Sequence, residues 1–310
     1  MASRRVIHDG DPGPADAIAL LLELAAPESL DILAVLTVAG TVPLERATEN
    51  ARRIVELAGR ADLPVHAGCP RPLDGALRAR DETSGASGLE GSGLPPAWLH
   101  PETSHAVEYL IDLLEEADEP VTISATGPLT NIASALVAAP AIADKIGALV
   151  IAGGAIGRGN ATPSAEANFH ADPMAAEIVL AAGLDPTLIA LDAARGFRVE
   201  AEDAAAIERL GNQPARAVAG LLRHGLDAGG RFRAEGALHG ILAAGYLLAP
   251  ELFAARAAHL RAIAWGESDR GRTVELKGAV PNATLVHGVD AAGLWALVLD
   301  RLARFGPPRR

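Results

Sequence analysis

Val6-Ile7-His8-Asp9-Gly10-Asp11-Pro12-Gly13-Pro14-Ala15-Asp16-Ala17 is the stretch whose reading decides the fold. An apolar strand breaks on glycine and proline, and an alanine- and leucine-rich helix starts at once, the opening of a strand–turn–helix unit. Three carboxylates, Asp9, Asp11 and Asp16, fall within eight residues of this break. In open α/β sheets, ligands bind beyond the carboxyl ends of the strands. Carboxylates crowded there repel one another unless a cation, a shared proton or strong donors compensate. Hard oxygen donors with one histidine and no cysteine nearby point to calcium or magnesium rather than zinc. A helix start accounts for Asp16, which the positive end of the helix dipole stabilises, but it accounts poorly for Asp9 and Asp11 together.

Working outward, short aliphatic runs alternate with Ala/Leu/Glu-rich stretches. Strands are expected at 5–8, 32–38, 65–67, 121–125, 148–152 and 187–191, with helices at 15–25, 44–58, 104–116, 129–139 and 173–182. This alternation predicts an α/β fold: an open, mostly parallel sheet with helices on both faces, in a single domain spanning 1–310. Residues 201–253 read as mainly helical, weak strand signals return at 259–265, 274–276 and 284–289, and a last helix is expected at 291–304. Glycine-rich stretches at 83–96 and 153–160 follow strands, where site loops belong.

The bulk composition narrows the function. With 49% hydrophobic and 21% charged residues, the chain suits a compact core rather than disorder. A net charge of −12 argues against nucleic-acid binding, which needs clustered cations. Cys69 is the single cysteine, so neither an intrachain disulfide nor a cysteine metal site can form. No run approaches the ~18 apolar residues of a membrane span, and the N-terminus has no signal-peptide core, so a cytoplasmic location is expected.

Further polar segments follow strands in the same way: Thr126-Gly127-Pro128-Leu129-Thr130-Asn131, then Gly159-Asn160, Glu166-Ala167-Asn168, Asp172-Pro173 and Leu238-His239-Gly240. Singly, each has an ordinary explanation: Asp172 as a helix cap, Asn131 as a turn residue, His239 as a buried core histidine. Their order along the chain is more specific. Together with Asp9-Gly10-Asp11-Pro12-Gly13-Pro14-Ala15-Asp16-Ala17, Thr37-Val38-Ala39-Gly40 and Leu294-Trp295-Ala296-Leu297-Val298-Leu299-Asp300, it resembles the nucleoside hydrolase family of the inosine–uridine-preferring type over essentially the whole chain.

The resemblance implies a calcium-dependent N-ribohydrolase of purine or pyrimidine nucleosides, usually a homodimer or homotetramer, with a small-molecule substrate and no nucleic-acid or membrane partner. By position, Asp11 would ligate calcium and act as general base on the metal-bound water. Asp16 would be a second ligand, the Thr126 carbonyl a third, and Asp9 would orient the cluster. Asn160, Glu166 and Asn168 would hold sugar hydroxyls, and His239 would stand near the leaving base as its proton source. Breaking an N-glycosidic bond builds oxocarbenium character on the sugar, which an anionic site stabilises.

The chain also departs from the family pattern. Ala15 stands where the family has a ribose-binding Asp, Gly240 where it has a calcium-ligating Asp, and Thr41 where it has a sugar-binding Asn. Ser84 replaces a base-side His. Two expectations follow: hydrolysis of a nucleoside or modified nucleoside with calcium weak or absent, or a non-catalytic nucleoside- or sugar-binding protein on the same fold. A third, a metal-dependent phosphoryl or glycosyl transferase of another kind, finds no phosphate-binding signature.

Overall fold

The structure is a computed structural model that describes residues 3–75, 87–227, 238–266 and 268–306. In chain order, β1 (Arg4–Gly10), α1 (Pro14–Leu24), β2 (Leu30–Thr37), α2 (Leu44–Leu57) and β3 (Val65–Ala67) come first. They are followed by α3 (Ala106–Glu116), β4 (Val121–Ala125), α4 (Thr130–Ala138), β5 (Ile146–Ala152), α5 (Ala167–Ala171), α6 (Pro173–Ala181) and β6 (Thr187–Ile189). The last part holds α7 (Leu191–Ala194), α8 (Ala201–Glu208), α9 (Gln213–Asp227), α10 (His239–Leu248), β7 (Phe253–Ala258), β8 (Leu260–Ala262), β9 (Thr273–Glu275), β10 (Ala283–Val289) and α11 (Ala291–Ala303).

Eight strands form one sheet in the order β3-β2-β1-β4-β5-β6-β10-β7, parallel throughout except for β7, which runs antiparallel to β10. From β1 the chain steps outward through β2 to β3, then returns to β4 and steps the other way. The order therefore reverses between β1 and β4, and it is at the carboxyl ends of such a pair that open α/β sheets bind their ligands.

Successive residues of β1 feed opposite faces of the sheet. Val6 belongs to a cluster with Leu20, Leu242 and Val298 of α1, α10 and α11, whereas Ile7 belongs to one with Leu110, Ile132 and Val179 of α3, α4 and α6. Each such fully buried aliphatic side chain is worth about 1.5–3 kcal/mol relative to exposure. Covering both faces this way is what makes the parallel strands read as continuous apolar runs.

The open, mostly parallel sheet with two helical layers is the one expected, and its first six strands fall where the sequence places them. The C-terminal third differs. The strand β7 begins at the last residue of the expected helical region and otherwise fills 254–258, where no element is expected, and the expected strand at 259–265 is only Leu260–Ala262. That short strand pairs antiparallel with β9 in a separate ribbon rather than in the main sheet. Both outer edges of the main sheet are blunted: β3 has three residues, and on β7 the Arg256 guanidinium is bonded to the Glu275 carboxylate at 2.7 Å. Among the described residues, no helix is long and apolar enough to cross a membrane.

Candidate active site

The site is built from the turns that follow β1 and β4. Asp9 lies opposite Ala125 in the β1–β4 register, and its carbonyl accepts the Thr126 amide at 2.8 Å. Its carboxyl is 1% exposed and takes a hydrogen bond from Asn131 Nδ2 at 2.7 Å. Burial pushes the Asp9 pKa up to about 7, against the lowering effects of the Asn131 hydrogen bond and the nearby His8, while the Asp11 charge adds to the rise.

Asn131 does more than the turn role read from sequence. It stands in the first turn of α4, donates to the Thr37 carbonyl at 3.0 Å as well as to Asp9, and accepts the Cys69 amide at 2.9 Å. One side chain thus ties the ends of β1, β2 and β3 to α4. The close approach requires glycine at position 68, where a Cβ would sit 2.2 Å from the Asn131 oxygen.

Asp11 is also buried, and its Oδ2 accepts the Thr41 amide. Two glycine turns form its seat: a Cβ at Gly40 would lie 2.2 Å from Oδ2, and one at Gly127 would lie 2.9 Å from Oδ1. The peptide before Gly127 carries the Thr126 carbonyl, which accepts Asn168 Nδ2 at 2.7 Å. The same amide group donates to the Ala152 carbonyl at 3.0 Å, so both of its hydrogens are committed to backbone.

Glu166 caps α5, its Oε2 accepting the amides of Asn168 at 3.0 Å and Phe169 at 3.2 Å, plus that of Gly154 at 3.0 Å. This is an N-cap in which a carboxylate satisfies orphan helix donors. The other oxygen, Oε1, stands 3.9 Å from Nδ1 of His239, the first residue of α10. His239 Nε2 meets the Ile189 carbonyl at the end of β6, which puts the remaining acceptor position on Nδ1. Burial pulls the His239 pKa below the usual imidazole range, opposed by Glu166, the Ile189 carbonyl and Asp192.

Asp16 lies in the first turn of α1, behind an N-cap glycine, Gly13, that offers no side chain. It is 7% exposed, and α10 packs against it so closely that a Cβ at Gly240 would be 2.5 Å from its Oδ1. Hydrogen bonds and short contacts therefore run from Asp9 through Thr126, Asn168 and Glu166 to His239; Asp11 sits between Gly40 and Gly127 beside this chain, and Asp16 lies against Gly240 at the start of α10. Asn160 differs: it is exposed on its loop, with its amide bonded to the Ala165 carbonyl at 3.2 Å. Asp172 caps α6, as its Asp-Pro context suggests. Ser84 lies outside the described residues.

Buried carboxylates, a buried histidine and a side-chain amide braced on backbone thus gather around the topological switch point, where open α/β proteins bind small molecules. The profile of the family described as inosine-uridine preferring nucleoside hydrolase matches residues 6–296, and the chain belongs to that family. It is 40% identical over 305 residues to the pyrimidine-specific ribonucleoside hydrolase RihA of Citrobacter koseri, covering 96% of this chain and 97% of that protein. The counterpart from Photobacterium profundum is 39% identical over 310 residues, with 98% and 100% covered. Among solved structures, the plant nucleoside hydrolase PpNRh1 matches with a TM-score of 0.88 and 30% identity over 97% of this chain and 99% of that one. The purine-preferring ribonucleoside hydrolase from Gardnerella vaginalis matches with a TM-score of 0.89 and 26% identity, covering 97% and 98%.

Proposed function

We propose that the protein hydrolyses the N-glycosidic bond of a nucleoside, releasing base and sugar, with Asp11 as general base. One observation carries this reading. Asp11 is clamped between Gly40 and Gly127, beside a continuous chain of contacts that runs from Thr126 through Asn168 and Glu166 to His239. A base held in fixed geometry can take a proton from water as that water attacks the sugar carbon, an arrangement typically worth 10²–10⁴ in rate. The buried carboxylates supply the anionic surroundings that a developing oxocarbenium ion needs.

On the leaving-group side, His239 is held by the Ile189 carbonyl and carries any mobile proton on Nδ1, beside Glu166. An imidazolium formed there is a stronger acid than a solvated one, because burial disfavours it, and so suits protonation of a departing base. The Asn168 amide hydrogens are already committed, which leaves its Oδ1 to accept from a sugar hydroxyl. Asn160, on the exposed loop, would join from the rim.

Calcium is the cofactor that family membership suggests. The donor set fits it in kind but is short in number. Asp11, Asp16 and the Thr126 carbonyl are hard oxygens, while Gly240 and Ala15 supply none, and calcium prefers six to eight oxygens. Among the described residues, no three His, Cys, Asp or Glu side chains are grouped to hold a metal. Bound at those three oxygens, the ion would neutralise charge and lower the pKa of a coordinated water. The lost carboxylate makes its affinity low.

The deciding experiment is a base-release assay on a panel of ribo-, deoxyribo- and modified nucleosides, with and without added calcium. Release from at least one nucleoside by the wild type, abolished in Asp11→Asn, is the expected result. No release from any member overturns the reading in favour of a non-catalytic binding protein. Light scattering tests the homodimer or homotetramer suggested by family membership.

A further inference from the structure

Below the site lies a fully buried polar ladder that the proposed chemistry does not use. His8 on β1 and Glu23 on α1 have no solvent exposure and meet at 2.9 Å through His8 Nδ1 and Glu23 Oε2. The other oxygen of Glu23 accepts the Ser124 hydroxyl of β4 at 2.6 Å. On its far side, His8 Nε2 is 3.4 Å from the Thr126 hydroxyl. With Nδ1 donating to the carboxylate, Nε2 is left as an acceptor, so the hydrogen of Thr126 Oγ1 points down into the core. Position 10 must remain bare for this: a Cβ on Gly10 would lie 2.5 Å from Thr126 Oγ1 and 3.0 Å from His8 Nε2.

Thr126 is consequently held at three points. Its amide is on Asp9, its carbonyl on Asn168, and its side chain on His8. The next residue, Gly127, forms one side of the Asp11 seat. Burying a charged or shared-proton pair inside an apolar layer is costly, and two aliphatic residues would fill the space as well. The ladder instead ends on the one residue whose backbone connects the general base to the sugar-binding amide.

We propose that His8 and Glu23 are positioning residues for the hydrolytic reaction, acting through Thr126 to fix the peptide beside Asp11; this rests on the hydrolase reading given above. Preorganisation of this kind is felt in turnover more than in substrate affinity, since small displacements of reacting groups can cost about a hundredfold in rate.

The test uses the full chain. Single truncations such as His8→Leu leave a buried partner orphaned and can fail to fold, so the informative variant is the double replacement His8→Leu/Glu23→Leu, which removes both polar groups together. The expected result is a folded protein with kcat reduced about ten- to hundredfold and KM within about threefold of wild type. Glu23→Gln, which keeps an acceptor for His8 and a partner for Ser124, is expected to restore most of the turnover. A folded double variant with wild-type kcat overturns the proposal, and so does Glu23→Gln turning over no better than the double variant.

Nitrogen NMR of wild-type His8 reads the ladder independently of activity. The proposal requires the Nδ1–H tautomer, and an Nε2–H tautomer refutes it. If the wild type hydrolyses no nucleoside, the hydrolase reading falls and the positioning role for this reaction falls with it, while an Nδ1–H signature still reports the ladder as built. An active wild type with the wrong tautomer removes the positioning claim alone.

Discussion

On the β1–β4 side of the cleft, each functional group is held by a second residue: Asp9 by Asn131, Asp11 by the Thr41 amide, the Thr126 carbonyl by Asn168. On the α1–α10 side, Ala15 and Gly240 bring no side-chain oxygen, and Asp16 extends to within 2.5 Å of where a Cβ at Gly240 would be. One wall carries three braced groups, and the other carries the single carboxylate of Asp16. The difference separates two requirements that a metal-assisted hydrolase normally satisfies together: placing the base, and binding the ion. Positional order costs little once hydrogen-bond partners are present, whereas each carboxylate added to a desolvated cleft raises the repulsion that something must neutralise.

The strongest way to break this comparison is at its ordered wall. Asp11→Ala is expected to lower kcat by about 10³–10⁴-fold, measured as base release on whichever nucleoside the wild type turns over. A loss under tenfold would move the base elsewhere.

The second experiment adds charge to the α1–α10 wall. Gly240→Asp is expected to tighten calcium by about 30- to 1000-fold, or roughly 2–4 kcal/mol, in calorimetric titration. Because the new Cβ meets Asp16 Oδ1, Asp16 must turn, and the variant is expected to melt below wild type in chelator and above it in millimolar calcium. Equal melting in both conditions would show that α1 and α10 do not frame a cation.

A smaller effect comes from the brace. Asn131→Ala leaves the Asp9 carboxyl, the Thr37 carbonyl and the Cys69 amide without that partner, and is expected to cost about 2–3 kcal/mol in denaturant unfolding.

The pH dependence sharpens the contrast further. With a folded pKa of about 7, Asp9 keeps a proton that the unfolded chain loses near pH 4, so its contribution to stability falls as pH rises from ~4 to ~7. Asp9→Asn removes this loss while preserving an acceptor for Asn131. The variant is expected to gain on the order of 1–3 kcal/mol on wild type between pH 5 and 8 in the metal-free protein, read from melting curves across that range.

Much of this was legible from the chain because the turns announce themselves. Gly10 through Pro14 and Thr126 through Asn131 combine strand ends, breakers and helix starts, and those local signals fix where β1, α1, β4 and α4 begin and end. The strand β7 carried no such signal. Phe253-Ala254-Ala255-Arg256-Ala257-Ala258 has the composition of a helix, and only pairing with β10 makes it extended, a tertiary effect that propensity cannot anticipate. The site shows the same division. Asp11, Asp16, Glu166, Asn168 and His239 stand in recognisable segments, but His8, Glu23 and Ser124 meet across separations of 15 and 101 residues. Their only trace in the sequence is a polar residue interrupting each of three apolar runs. Asn131 was visible as a turn residue, yet its bonds to Asp9, Thr37 and Cys69 depend on strand order, which no local pattern encodes.

The margins of the main sheet carry a consequence for handling the protein at high concentration. A strand of three residues at one border, bridged at His66 by Glu102, and a six-residue strand at the other, with Arg256 clasped to Glu275 of the neighbouring ribbon, present unequal edges to a second molecule. Any continuation of the strands from one molecule to the next therefore finds more backbone at the β7 border than at the β3 border, and an added charge or proline on β7 is where concentrated solutions gain most.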